Sequence, residues 1–249
     1  MNAEFDAYSQ SYDAAVNASI SFSGLTVDFF TRVKVDYFLE LIESLRPPAA
    51  RAEVIDIGCG VGNAHPLLAG NIGRLAGVDV SAACLAEAAE RNPRNEYRAY
   101  DGLNLPFPDA SFDVASAVCV FHHIPLDWRE ALAKDVRRVL RPGGIFAIFE
   151  HNPLNPLTRR AVSQCKFDKG ALLLRSREAE ALLAAAGFAD VETRFILAVP
   201  AKGAVPRRVD RLFARTPLGA QYVTTGRAKL LPAARGMRPV ERQTPFAAG

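Results

Sequence analysis

Apolar positions along this chain fall into short runs and helical stripes that alternate. Glu53–Ile57 is a nearly continuous apolar run, the pattern of a parallel strand buried on both faces. Further strands are predicted over residues 75–80, 96–101, 112–120, 145–150, 191–199 and 220–227. Residues 27–45 carry Phe29, Phe30, Val33, Tyr37, Phe38, Leu41 and Leu45 at helical spacing, ended by Pro47-Pro48. A short helical pattern covers 64–69. Ser81 is a good N-cap for a helix over 82–91, which Asn92-Pro93 stops. Asp127 with Glu130 reads as a capping box for a helix carrying Leu132, Val136, Val139 and Leu140, broken by Arg141-Pro142-Gly143-Gly144. A helix over 176–186 ends at Gly187, and 207–215 reads as a short basic helix. Strands alternating with helices predict an α/β fold built on a doubly wound sheet.

About fifty residues precede the first strand. They are expected either to form a helical lid over the ligand edge of the sheet or to pack on it as a plain covering layer. The division expected is 1–50 helical lid, 51–230 core, and 231–249 a disordered tail, rich in Pro, Gly, Arg and Ala without periodicity. With 249 residues, 49% hydrophobic and 23% charged, the chain suits one α/β domain with an extension. No apolar run is long enough to span a bilayer and no leader pattern opens the chain, so a soluble cytoplasmic protein without a membrane partner is expected. Cys59, Cys84, Cys119 and Cys165 are scattered, and no Cys and His stand at zinc spacing, so no metal is expected. From Lys202 onward there are ten Lys or Arg against Asp210 and Glu241. These charges are interspersed and lack an aromatic stripe. A solvated surface or an acidic small molecule fits them better than nucleic acid.

In doubly wound sheets the ligand sits at the carboxyl ends of the strands. The sequence puts four polar groups there. Gly58, Gly60 and Gly62 follow the first strand at alternate positions, where they permit a sharp turn and close approach of a ligand to the main chain. Asp79 ends the second strand, where a carboxylate can accept from two ribose hydroxyls; capping the next helix is its plainer use, but Ser81 already fills that role. Asp101-Gly102 ends the third, facing an adenine edge or making a turn. Glu150-His151-Asn152 ends the fifth.

Four stretches in order then resemble one family. Residues 54–62 (VIDIGCGVG) look like the first motif of class I S-adenosylmethionine-dependent methyltransferases, and 77–81 (GVDVS) like their ribose-binding turn. Residues 105–113 (LPFPDASFD) resemble the approach to their fourth strand, and 140–144 (LRPGG) the turn before their fifth. The resemblance runs from about Asp6 to Arg227. It implies a Rossmann-like, mostly parallel seven-stranded sheet, S-adenosylmethionine as cofactor, and methyl transfer to O or N of a small-molecule metabolite or natural-product intermediate. It also implies roles. Asp56, Gly58 and Gly60 would line the methionine portion, Asp79 would hold the ribose and Val80 would pack on adenine. Asp101 and Gly102 would meet the adenine edge, Cys119 would offer backbone near the sulfonium, and Tyr12 would lie over the cofactor. Lys34 or Arg32 would hold its carboxylate.

Candidate catalytic groups are few. His65 reads as a surface or capping residue. His122-His123 is a frequent feature of that turn in the family, and either ring can serve simply by bonding a loop carbonyl. His151 is the candidate base, with Glu150 orienting its ring or holding an acceptor hydroxyl. His123 and Tyr12 complete the catalytic candidates, and Arg159 and Arg160 are placed to attract an anionic acceptor or to form a solvated helix face. A dinucleotide oxidoreductase is the rival enzyme. Its fingerprint needs a glycine at position 63, where Asn63 stands, and His65 and Pro66 occupy the first helical turn. A methyltransferase-like domain that binds without transferring is the third reading.

Overall fold

The computed structural model describes residues 12–45, 48–199 and 204–229. Two helices come first, α1 (Tyr12–Ile20) and α2 (Val27–Glu43). Then follow β1 (Glu53–Ile57), the single-turn α3 (His65–Leu68), β2 (Arg74–Asp79), α4 (Ala82–Arg91), β3 (Glu96–Ala99) and β4 (Phe112–Val118). The second half holds α5 (Leu126–Val139), β5 (Leu140–His151), α6 (Pro156–Gln164), α7 (Ser176–Ala185), β6 (Phe188–Ile196), α8 (Ala204–Leu212) and β7 (Gln221–Ala228). The tail expected to be disordered lies outside the described residues.

The seven strands form one sheet in the order β3-β2-β1-β4-β5-β7-β6. All neighbours are parallel except β7, which runs antiparallel to both β5 and β6. This is the mostly parallel, doubly wound sheet expected. Strand order reverses between β1 and β4, and that switch point opens the crevice where such sheets bind ligands. Side chains of successive strand residues alternate between two cores. Ile55, Ile57, Val78, Ala115, Phe146 and Ile148 pack with Leu132 and Val136 of α5 and Leu183 of α7. Val54, Leu75, Val114, Ala147 and Phe149 pack on the other face with Phe29, Val35, Phe38 and Ile42 of α2. Burying a side chain such as Ile42 or Phe149 stabilises the fold by about 1.5–3 kcal/mol, so α2 is anchored as a layer of the sheet.

Three local expectations change. Helix α5 begins at Leu126 with Pro125 at its N-cap and no side-chain cap, so Asp127 is a first-turn acid and no capping box with Glu130 forms. Proline suits this boundary because it presets φ and needs no hydrogen bond there. Leu140 already belongs to β5: pairing with β4 jumps from Phe112–Leu140 to Val114–Ile145, and residues 141–144 bulge between them. At Gly144 a Cβ would lie 2.9 Å from the carbonyl oxygens of Arg141 and Asp113, which closes that position to any side chain. Finally, β6 starts at Phe188, immediately after Gly187 in a left-handed conformation (φ 88°).

Candidate functional site

The glycine loop is built by local geometry. Gly58, Gly60 and Gly62 all sit at positive φ (66°, 52° and 72°), which L side chains adopt only under strain. A Cβ on Gly58 would also lie 2.6 Å from a Val120 methyl, whereas one on Gly60 would meet nothing within 4 Å, because Gly60 faces open space. Asp79 ties this loop to the next strand end. Its Oδ2 accepts from Gly60 N–H at 2.8 Å and its Oδ1 from Ser81 N–H at 2.9 Å. Ser81 Oγ in turn caps α4 by accepting from Cys84 N–H at 3.1 Å. Burial raises the Asp79 pKa against the lowering pull of those amide hydrogen bonds.

Beneath the loop lies a network with no local sequence signal. Asp56 Oδ1 accepts from Ser116 Oγ at 2.7 Å, and its Oδ2 is 3.1 Å from His65 Nε2. His65 Nδ1 is 2.7 Å from the Tyr97 hydroxyl, and the two rings stack at 5.6 Å. His65 is 1% exposed. The surface or capping role expected for it is therefore replaced by a buried link between β1 and β3.

The far end of the site gathers residues from four segments. His122 Nδ1 is 2.6 Å from Glu150 Oε2, and His122 N–H donates to Glu150 Oε1 at 3.3 Å. His122 Nε2 lies 3.3 Å, and His123 Nε2 3.5 Å, from the same oxygen of Asp168, and the two rings lie 4.1 Å apart. The ring of His151 is 5.3 Å from that of His122, and its Nδ1 is 3.4 Å from Gln221 Nε2. Burial alone would lower the His122 pKa, but Glu150 and Asp168 outweigh it and hold that ring well above the usual imidazole range. Glu150 resists the upward push of burial through the same partner and stays low. His151 is lowered to about 4, first by burial and then by the charge of His122, so its ring is neutral across the physiological range. Glu150 therefore orients His122 rather than His151, and its fully buried carboxylate has no access to an acceptor hydroxyl.

One cavity of about 390 Å³ joins the two ends. Asp56, Gly58, Gly60, Asp79, Val80, Gly102 and Cys119 line it at the glycine loop, and His123, His151, Asp168 and Gln221 line its far polar end. Val16, Ile20, Phe22 and Phe30 from the N-terminal segment, with Leu157 and Val162 of α6, make an apolar wall. The N-terminal helices thus both cover the sheet and wall the cavity. Lys34 lines it too and makes no ion pair among the described residues. Cys119 adopts φ 58° and its N–H donates to Phe149 O at 2.8 Å, so any main-chain contact to a ligand would come from its carbonyl.

Other expected residues lie elsewhere. Asp101 is exposed and outside the cavity lining; its carboxylate accepts from Leu103 N–H, Asn104 N–H and Asn104 Nδ2, which hold its pKa low, and it closes a turn. Arg32 is exposed and paired with Asp28 at 2.9 Å. Arg159 and Arg160 are exposed on α6, with the Arg160 guanidinium 4.7 Å over the Phe22 ring, so neither reaches an anionic acceptor in the cavity. Tyr12 opens α1, but its side chain lies outside the described residues, as does Tyr8. Asp168 and Gln221 were not legible as site residues. Gln221 reaches the site only because β7 pairs it with His151.

Residues 55–148 match the family model described as a methyltransferase domain. These residues thus carry a methyltransferase domain. A probable S-adenosylmethionine-dependent methyltransferase of Mycolicibacterium smegmatis is 33% identical over 146 residues, 54% of this chain and 54% of that protein. The 2-methyl-6-phytyl-1,4-hydroquinone methyltransferase of Synechocystis is 30% identical over 154 residues, 54% of this chain and 47% of that protein. The chain thus spans about half the length of these curated relatives. The methyltransferase fold is also that of a solved S-adenosylmethionine-dependent methyltransferase from Thermotoga maritima, at a TM-score of 0.64 and 20% identity, covering 92% of this chain and 100% of that one. S-adenosylmethionine is the cofactor of this methyltransferase family. No helix among the described residues is long and apolar enough to cross a membrane.

Proposed function

We propose that this chain transfers a methyl group from S-adenosylmethionine to an oxygen or nitrogen of a small, largely apolar acceptor bound in the same cavity. The observation that carries the reading is the continuity of that cavity: the glycine loop and Asp79 stand at one end, an apolar wall and a small polar cluster at the other. Asp56, Gly58, Gly60, Asp79 and Val80 bind the cofactor, and the ammonium of Lys34, which lines the cavity and has no ion-pair partner among the described residues, attracts a carboxylate. Gln221 holds the acceptor. It is 7% exposed, and its Oε1 is buried without a hydrogen-bond partner among the described residues, an arrangement that favours an incoming O–H or N–H donor.

In-line displacement at a sulfonium needs close alignment and a chamber from which water is excluded, and the apolar wall suits both. An imidazole with a pKa of about 4 is a weak proton acceptor, so His151 contributes more by position than by basicity. The test is calorimetric titration with S-adenosylhomocysteine, S-adenosylmethionine and NAD, followed by a screen of acceptor pools with methyl-labelled cofactor. Saturable binding of the first two and label in a small apolar product are expected. Binding of NAD with no response to S-adenosylhomocysteine would overturn the reading.

A further inference from the structure

We propose that His122, His123 and Asp168 form a binding site for one divalent transition-metal ion whose open coordination positions face the cavity. One ligand atom from each of these residues lies within 4.8 Å of the others. The distances discriminate between a hydrogen-bond network and a ligand set. Charge-assisted N–H···O bonds close to about 2.7–2.9 Å, and the His122–Glu150 contact does so at 2.6 Å. Contacts of His122 and His123 with Asp168 stay at 3.3 and 3.5 Å on one oxygen. With metal–ligand bonds of about 2.0–2.2 Å, neighbouring ligand atoms on one ion stand roughly 3–3.5 Å apart. Each imidazole therefore stands at ligand spacing from the shared carboxylate oxygen, and all three ligand atoms lie within 4.8 Å of one another.

Three further features support the assignment. Glu150 holds His122 by Nδ1 and leaves Nε2 directed at Asp168, the carboxylate–imidazole arrangement that orients metal-binding histidines. Two imidazole nitrogens with one carboxylate suit borderline ions such as Zn²⁺, Fe²⁺ or Co²⁺ rather than Ca²⁺. Charge also balances: Glu150 and Asp168 bring two negative charges into a buried cluster, and one dication with neutral imidazoles cancels them. When the ion enters, it takes the place of the proton between His122 and Asp168, which leaves to solvent. Three protein ligands leave positions open for exogenous donors. Because His123 and Asp168 line the cavity, an oxygen of the acceptor can occupy one. That use of the ion rests on the transferase reading; the binding of the ion does not.

The full chain, stripped with a chelator and dialysed, is titrated calorimetrically with Zn²⁺, and Co²⁺ loading is followed by visible absorption. One ion per chain is expected, with ligand-field bands for Co²⁺. His123→Ala should weaken Zn²⁺ binding at least tenfold, and so should the near-isosteric Asp168→Asn, with circular dichroism checking that each variant is folded. Absence of saturable binding up to millimolar Zn²⁺ in the parent chain overturns the proposal, as does undiminished binding in either folded variant. The same preparations are titrated with S-adenosylhomocysteine. Metal binding without a nucleoside response leaves the metal site standing and removes the transferase reading, and the converse removes the metal site alone.

Discussion

The two ends of the cavity are assembled by different means. At the cofactor end most groups stand at or just past a strand end: Asp56 near the end of β1 with three glycines after it, then Asp79 closing β2 with Val80 and Ser81 next. At the acceptor end, the His122–Glu150, His122–Asp168 and Gln221–His151 contacts join residues 28, 46 and 70 positions apart. The first end is held by backbone amides on Asp79 and by conformations that only glycine adopts cheaply. The second is held by buried side-chain pairs on separate segments. A site made of turns tolerates change in the surrounding packing, whereas a site made of buried charges depends on each partner staying paired.

Glu150→Ala should give the largest effect that separates the two ends. Removing one partner of a buried ion pair leaves the other uncompensated, at about 3–5 kcal/mol. Urea unfolding should show that loss, while S-adenosylhomocysteine affinity in the folded fraction stays within about threefold, a margin near the usual non-additivity of distant sites. An unmoved unfolding midpoint would mean that His122 is held without Glu150.

Asp79→Ala should do the reverse. Hydrogen bonds to a charged carboxylate are worth about 1.5–3 kcal/mol each, and with partial replacement by water the dissociation constant should rise tenfold to several hundredfold. Calorimetry checks this, and an unchanged constant would leave Asp79 as a tie between Gly60 and Ser81 only.

Gln221→Leu sharpens the boundary between the ends. Losing one neutral hydrogen bond should raise KM for the acceptor by roughly 5–15-fold, from about 1–1.5 kcal/mol, with cofactor affinity unchanged. If steady-state kinetics instead show a weaker cofactor KM, Gln221 belongs to the cofactor end.

Arg160→Ala should have the smallest effect. An exposed cation–π contact contributes about 0.5–1 kcal/mol, which corresponds to a fall of roughly 1–4 °C in Tm for a chain of this size. Neither kcat nor either KM should move, because Arg160 stands outside the cavity. A change in acceptor KM would put Phe22 and Arg160 at the cavity mouth as a working pair.

Much of this molecule was legible residue by residue. The sheet strands were readable because a strand buried on both faces is largely apolar, as Val54, Ile55 and Ile57 show in β1. Helix α4 was readable at both ends from Ser81 and Asn92-Pro93. Asp127 misled because a capping box is a local preference worth about 1 kcal/mol, and the proline at 125 settled the boundary first. His65 misled for the opposite reason. Nothing within its own turn announces that Asp56 and Tyr97 will converge on it, since those partners arrive from β1 and β3. Asp101 took the turn role that its neighbour Gly102 already offered.

The sequence by itself determined which segments form strands and helices, where the glycine loop turns, and which family the cofactor end resembles. Those properties depend on φ preferences, side-chain period and short-range hydrogen bonds, all of which act between near neighbours. Only the tertiary structure decided the antiparallel insertion of β7 between β5 and β6, the burial of His65, and the meeting of Glu150, His122, His123 and Asp168. Strand order is chosen by how two apolar faces can be covered at once. A buried carboxylate finds its imidazole only after that choice is made, so no local pattern records the pairing.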